Sequence, residues 1–241
     1  MKILIIELKK EKRYGIILLM FAIGILGAAY AFLNFAVRKD TLLSLPLAPM
    51  TILLTQLYGM MMTLNLFGII VAACMIYSME FKDCAVKKMY MLPVHVPAMY
   101  LCKFLILTIL LSVAAALQNL ALTQIGITSL PEGTFELYTL IIFALYSLIT
   151  AMPALSFMLF IASRFENMWI SLGIGVAGFL SGMALGVPKI GLFLADPFVI
   201  MLKPAVSMST RPDVSVIAIA IVETLLFLAA GLWTSANIHY E

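Results

Sequence analysis

Six long apolar runs, separated by short polar or charged connections, make up most of the 241-residue chain. Each run has about 20 residues or more, the length that an α-helix needs to cross the ~30 Å hydrocarbon core of a bilayer. The pattern therefore predicts an all-α, polytopic membrane protein with six transmembrane helices in a single domain, residues 1–241. The predicted spans are 14–37, 52–79, 98–125, 136–162, 168–187 and 214–236.

The composition supports a membrane protein and excludes an ordinary soluble domain. The chain is 64% apolar and 11% charged, whereas soluble domains are about half apolar and a quarter charged. The net charge of +3 is small and gives no reason to expect a nucleic-acid partner.

Lysine and arginine are distributed unevenly between the two ends of the predicted bundle. Ten lie in the connections 1–13, 80–103 and 163–167, which share one end with the C-terminal tail, and five lie at the opposite end. Basic residues accumulate in cytoplasmic loops, so we expect both termini in the cytoplasm. The five at the opposite end are Arg38, Lys39, Lys189, Lys203 and Arg211.

Two segments outside the spans have patterns of their own. Residues 1–13, MKILIIELKKEKR, predict an amphipathic helix in the inner membrane interface, the alternative being a plain charged flank to the first span. Residues 188–213 contain four prolines, which break the segment into short pieces. We expect short re-entrant or surface-lying helices there, on the extracellular face.

The segment 80–97 is the most charged internal stretch of the chain. Its apolar residues recur at near-helical spacing, its lysines fall elsewhere, and Pro93 ends the pattern. This predicts a short cytosolic amphipathic helix between the second and third spans. Such a helix can dock on lipid headgroups, dock on a soluble partner, or only solvate a turn.

The order of residues from Glu80 onward resembles the permease subunits of ABC exporters of the type-2 class. In these an acidic residue ends the second span, a coupling helix ends in an LP(V/I) step, and a K(F/L) pair opens the third span. The corresponding residues here are Glu80, Leu92-Pro93-Val94 and Lys103-Phe104, while Asp83-Cys84-Ala85 replaces the small turn that the family often has.

The resemblance implies that the energy comes from another subunit. No G-x-x-x-x-G-K-[ST] motif is present, so we expect no catalytic residue, bound cofactor or metal in this chain. ATP and Mg²⁺ are expected in a cytosolic ABC ATPase dimer, beside a second, identical or related permease. The expected coupling residues are Glu80, Phe81, Lys82, Lys87, Lys88, Met89, Tyr90, Leu92 and Pro93.

The size of the chain, with no large extracellular domain, is most similar to permeases of lantibiotic self-protection exporters in the bacterial plasma membrane. The implied substrate is an amphipathic antimicrobial peptide taken from the membrane. The alternatives are an ATP-independent carrier or channel that uses Glu223, and a non-transporting membrane partner of an ATPase or sensor.

Polar and small residues inside the spans give further candidates. Glu223 is a carboxyl near the middle of the last span, where a charge is costly, and together with Asn65 and Gln118 it is a candidate for the transport pathway or its gating. The alternative is that these groups only bond helices together. Glycines at a spacing of four in the fifth span predict a close helix-packing stripe, within the subunit or between subunits. They are Gly178, Gly182 and Gly186.

Overall fold

Eight helices account for most of the described chain, and no strand occurs among the described residues. In chain order they are α1 (Lys2–Arg13), α2 (Ile16–Leu43), α3 (Pro49–Phe81), α4 (Val96–Ser129), α5 (Leu137–Arg164), α6 (Met168–Leu185), α7 (Pro197–Val206) and α8 (Val214–Asn237). The computed structural model describes residues 2–43, 47–82, 96–131, 134–185, 194–206 and 210–237.

Five of these helices, α2, α3, α4, α5 and α8, are long and apolar enough to cross a membrane. They match five of the six predicted spans, so the all-helical, multi-pass prediction is confirmed to that extent. The remaining predicted span, 168–187, corresponds to α6, which is apolar but shorter, at 18 residues.

Helices α3 and α4 extend at both ends beyond the apolar runs that predict them. Helix α3 begins at Pro49 and contains a π-helical turn over Leu53–Leu57, which the sequence pattern did not predict. Helix α4 has 34 residues, or about 51 Å at 1.5 Å per residue. It is therefore much longer than the hydrocarbon core and must tilt or project beyond it.

The centre of the bundle is α3, which packs against α2, α4, α5, α6 and α7. In its most hydrophobic part 61% of the residues are buried, against 33% in α2 and 22% in α8. Helices α2 and α8 therefore lie at the periphery, with broad apolar faces open to lipid or to another membrane subunit.

A single glycine separates α1 from the first long helix. Gly15 has a φ of 79°, a left-handed conformation that side-chain-bearing residues rarely adopt. The amide of Tyr14 bonds to the carbonyl of Lys10, and that of Leu19 bonds to Gly15. This turn lets α1 fold against α4 and α2 instead of continuing along α2.

The two ends of the bundle carry different connections. At one end α1 contacts the end of α3 and the beginning of α4. At the other end Pro49, Thr134, Glu136 and Arg211 line a common cavity of about 520 Å³. The chain therefore runs up and down, with α1, the end of α3 and the beginning of α4 at the end opposite to Glu136 and Arg211.

Helix α7 lies within the stretch 188–213 for which the sequence predicts short helices. Its residues from Pro197 to Leu202 are buried. The ring of Phe198 lies against α6 at Gly178, and the backbone and Cβ of Phe198 lie against Gly182. Its position relative to the membrane stays a prediction.

Candidate functional site

An ion pair joins the last turn of α3 to the second turn of α4. The Glu80 carboxylate contacts the Lys103 ammonium group, and both side chains are buried, Lys103 to all but 2%. The Lys103 Nζ also lies 4.2 Å from the centre of the Tyr77 ring, a distance at which an aromatic face attracts a cation. The two helix ends that flank the predicted coupling segment are thus tied to each other directly.

Helix α1 contributes the second part of this site. The Lys10 Nζ lies 2.8 Å from Glu7 Oε1 and 3.9 Å from Glu80 Oε1. Lys10 therefore links a carboxylate of α1 with the carboxylate that ends α3. We call Glu7, Lys10, Glu11, Glu80 and Lys103 the ionic cluster.

Glu11 is the least compensated member of the ionic cluster. It is fully buried, and neither of its carboxyl oxygens has a hydrogen-bond partner. Burial, reinforced by the neighbouring Glu7, raises the pKa of Glu11 to about 8, although Lys103 and Lys10 act in the opposite direction. A proton on this carboxyl is therefore favoured at neutral pH, because it removes a buried negative charge.

Helix α1 turns one side toward this cluster and the other away from the protein. Glu7 and Glu11 are buried, whereas Ile6 and Leu8 are exposed. The acidic side of α1 thus faces protein, and apolar side chains face outward. An outward apolar side suits contact with lipid, and the interfacial position of α1 stays a prediction.

Three of the predicted coupling residues fall within the described structure. Glu80 belongs to the ionic cluster, and the Phe81 ring lies 6.4 Å from the ring of Tyr77. Lys82 is exposed, and the backbone becomes extended there, so α3 ends. The others lie outside the described residues: Lys87, Lys88, Met89, Tyr90, Leu92 and Pro93.

The candidate pathway residues Asn65 and Gln118 bond to each other. Their amide groups exchange two hydrogen bonds, each 2.9 Å long, and Gln118 Nε2 also lies 3.4 Å from the carbonyl oxygen of Ile23. These bonds connect α2, α3 and α4 in the buried interior. The geometry is that of polar bonding between helices, and it does not include Glu223.

Glu223 and the glycine stripe lie elsewhere in the bundle. Glu223 is buried on α8, and its Oε2 has no hydrogen-bond partner. A Cβ at Gly178 or Gly182 would meet Phe198 of α7, so these two glycines admit a close contact within the subunit. Gly186 lies outside the described residues.

The sequence patterns did not reveal several contacts of this site. In the sequence, Lys103 is recognisable only as part of a motif. The charges of α1 that join it, Glu7, Lys10 and Glu11, are recognisable only as the polar residues of an amphipathic helix. The available signal was a carboxylate that ends one apolar run and a lysine just inside the next. Such charges near a membrane favour pairing with each other.

Together these features define a multi-pass helical membrane protein whose N-terminal helix and central helix ends are joined by buried charges. The family model described as ABC-2 family transporter protein matches residues 3–182, which include the whole ionic cluster. The chain therefore belongs to this family, and it is the membrane component of an ABC transporter, a class that works with an ABC ATPase. No curated protein and no solved structure matches the chain.

Proposed function

We propose that the chain is a permease subunit of an ATP-driven exporter in the bacterial plasma membrane. Its substrate is an amphipathic antimicrobial peptide of the lantibiotic type, which it expels from the membrane to give self-protection or resistance. The observation that carries the proposal is the ionic cluster, which stands where the predicted coupling segment begins and lies within the family match.

The proposal includes six spans and cytoplasmic termini. Helix α1 and the connection after Glu80 share one end of the bundle, and that end holds most of the lysines and arginines. The positive-inside rule favours the cytoplasm for this end. Helix α6 then provides the remaining crossing. Its 18 residues span about 27 Å, which is close to the ~30 Å thickness of the hydrocarbon core.

The ionic cluster suggests how ATP hydrolysis moves the spans. The coupling segment follows α3 and precedes α4, and the pair of Glu80 with Lys103 holds these two helix ends together. Lys10 adds α1 to the same unit. When an ATPase dimer closes on the segment, α1, α3 and α4 shift as one body, which is a rigid-body change of the kind that opens a path between subunits.

A second permease, identical or related, completes the transporter. The peripheral helices α2 and α8 have the least buried apolar faces of the five long helices. The peptide substrate enters between the two permeases. The alternative of an ATP-independent carrier that uses Glu223 leaves the coupling segment without a role.

Co-purification tests the proposal. The chain is tagged at its C-terminus, extracted gently from native membranes, and its partners are identified by mass spectrometry, for the native sequence and for Lys87→Glu/Lys88→Glu. The matched control is Arg38→Glu/Lys39→Glu, which reverses two adjacent basic residues at the opposite end. We expect an ABC ATPase with the native chain and the control, and a loss of at least about tenfold with the coupling variant.

A growth assay tests the substrate. Cells with and without the chain are challenged with a panel of amphipathic antimicrobial peptides. We expect the chain to raise the inhibitory concentration of at least one lantibiotic, and the coupling variant to remove that protection. Protection that persists without any ATPase would instead support the carrier.

A further inference from the structure

Asp196 holds a negative charge at the junction of α6 and α7. Its Oδ2 accepts a 2.7 Å hydrogen bond from Ser181 Oγ, and its Oδ1 accepts a 2.9 Å bond from the amide of Phe198. Asp196 thus caps the N-terminus of α7, whose partial positive charge favours a carboxylate. Two donors and a helix end keep this charge in place beside α6.

A second carboxyl, that of Glu223, lies on α8, which packs against α7. Glu223 is 9% exposed, its Oε2 is buried without a hydrogen-bond partner, and it lies within electrostatic range of Asp196. Among the described residues neither carboxylate forms an ion pair with a lysine, arginine or histidine. Two neighbouring acids in an apolar setting are unfavourable unless a cation or a proton compensates them.

Aromatic contacts bring this part of α8 next to the beginning of α7. The ring of Phe157, on α5, lies 5.7 Å from that of Phe198 and 5.1 Å from that of Phe227, in edge-to-face arrangements. Phe198 follows Asp196 by two residues, and Phe227 follows Glu223 by one helical turn. The Phe198 ring is buried against Gly178 of α6, whereas Phe227 is partly exposed. Phe227 is therefore the ring whose face can attract an organic ammonium group beside the carboxylates, without adding charge.

A metal ion fits this region less well than an organic cation. Calcium and magnesium take six or more oxygen ligands, whereas no three His, Cys, Asp or Glu side chains converge anywhere in the described part of the chain. The region lies at depth, because Glu223 is nine residues from the start of α8, or about 14 Å along the helix. A cationic group on an apolar chain can reach it from the membrane.

We propose that Glu223 and Asp196, with the ring of Phe227, form a binding site for an ammonium group carried on an apolar chain. The inference deepens the proposed function and rests on it, since the ammonium group belongs to the transported molecule. The site selects cationic over neutral amphiphiles, and Glu223 provides the oxygen that pairs with the cation.

Binding to the permease alone, in nanodiscs of zwitterionic lipid, tests the site without the ATPase. The probe is a fluorescent dodecyl chain that ends in a primary ammonium group, and its neutral counterpart is the same molecule N-acetylated. We expect the native chain to bind the ammonium probe about tenfold more tightly than the neutral one. Glu223→Gln should abolish this preference, and Asp196→Asn, which keeps the helix cap, should reduce it.

The matched control is Glu136→Gln, the same change at an exposed carboxyl at the start of α5, which should keep the native preference. Thermal unfolding of each variant checks that the variant is folded. An equal affinity of the native chain for both probes, or an ammonium preference that survives both Glu223→Gln and Asp196→Asn, would overturn the site.

The two proposals fail in different ways. If an ABC ATPase co-purifies and peptide protection is seen but no ammonium preference appears, the proposed function stands and the site falls. If the preference is present and depends on Glu223 but no ATPase associates, the site stands as the binding site of a protein that works by another means.

Discussion

The carboxylate of Glu80 and the ammonium group of Lys103 form a buried ion pair between the two helix ends that flank the predicted coupling segment. The pair joins the end of the central helix α3 to the beginning of α4, and Lys10 links it to α1. Removing one partner of a buried pair leaves an uncompensated charge, which is far more costly than losing a surface contact. The pair should therefore matter both to stability and to coupling.

Replacing Lys103 with methionine keeps the shape of the side chain and removes its charge. We expect Lys103→Met to destabilise the protein by about 3–5 kcal/mol, because the buried Glu80 loses its direct partner and keeps only the more distant Lys10. Lys82→Met, an exposed lysine at the same helix end, is the control and should change stability by less than about 0.5 kcal/mol. Thermal unfolding in detergent measures both. A double variant, Glu80→Gln/Lys103→Met, should recover part of the loss, and equal effects of the two lysine changes would contradict the prediction.

The stability of the protein should fall as pH rises toward 8 because of Glu11. Its pKa is raised from 4.5 to about 8 by burial, so the folded state holds this proton more tightly than the unfolded state does. The contribution of the proton is therefore complete below pH 4.5 and is lost as pH rises through about 8. Glu11→Gln removes the titration and should raise the melting temperature at pH 9 by about 3–8 °C.

At pH 5 the same variant should melt within about 1–2 °C of the native protein, since Glu11 is then protonated. The control is Glu136→Gln, which replaces an exposed carboxyl. If the melting temperatures of Glu11→Gln and the native chain differ by the same amount at pH 5 and at pH 9, the native Glu11 does not titrate in this range.

Apolar run length and the position of charges were sufficient to predict the all-helical architecture and five spans. They could not predict that α1 turns its acidic side inward, because Glu7 and Glu11 are buried only through contacts with helices distant in sequence. The π turn at Leu53–Leu57 escaped prediction for a similar reason, since an apolar run gives no signal of where a helix widens. Intramembrane polar residues were identifiable as such, but their partners depended on the packing of α2, α3 and α4.

The close approach of α2 and α4 depends on Gly27. A Cβ at this position would lie 2.4 Å from Gln118 Nε2, so Gly27→Ala must displace Gln118 from its bonds with Asn65. We expect a loss of about 1–2 kcal/mol. Gly173→Ala, with nothing within 4 Å of the new Cβ, should be neutral or slightly stabilising. Chemical or thermal unfolding measures the stability of both glycine variants. In a Gln118→Ala background, Gly27→Ala should cause no further loss of stability.

Gly178 provides a test of whether the glycine stripe serves packing within the subunit. A Cβ there would lie 2.2 Å from the Phe198 ring of α7, so Gly178→Ala should lower the melting temperature by about 3–6 °C. Because the contact is internal, cross-linking between permease copies should stay at the native level. Phe198→Leu should relieve the clash in the double variant. A loss of cross-linking without a loss of stability would instead place Gly178 at a subunit interface.

The proposed six-span arrangement predicts which positions can be labelled from each side of the membrane. In a background without the three native cysteines, single cysteines replace Lys12, Glu136, Arg164, Arg211 and His239 in turn, and an impermeant maleimide is added to intact cells. We expect Glu136→Cys and Arg211→Cys to react at once, and the other three only after permeabilisation, because the positive-inside rule favours the cytoplasm for the basic end of the bundle. The comparison of Arg164→Cys with Arg211→Cys is decisive for α6, since labelling on opposite sides requires an odd number of crossings between them. Labelling of both from the same side would mean that α6 does not cross the membrane, although the cavity that Arg211 shares with Glu136 argues for opposite sides.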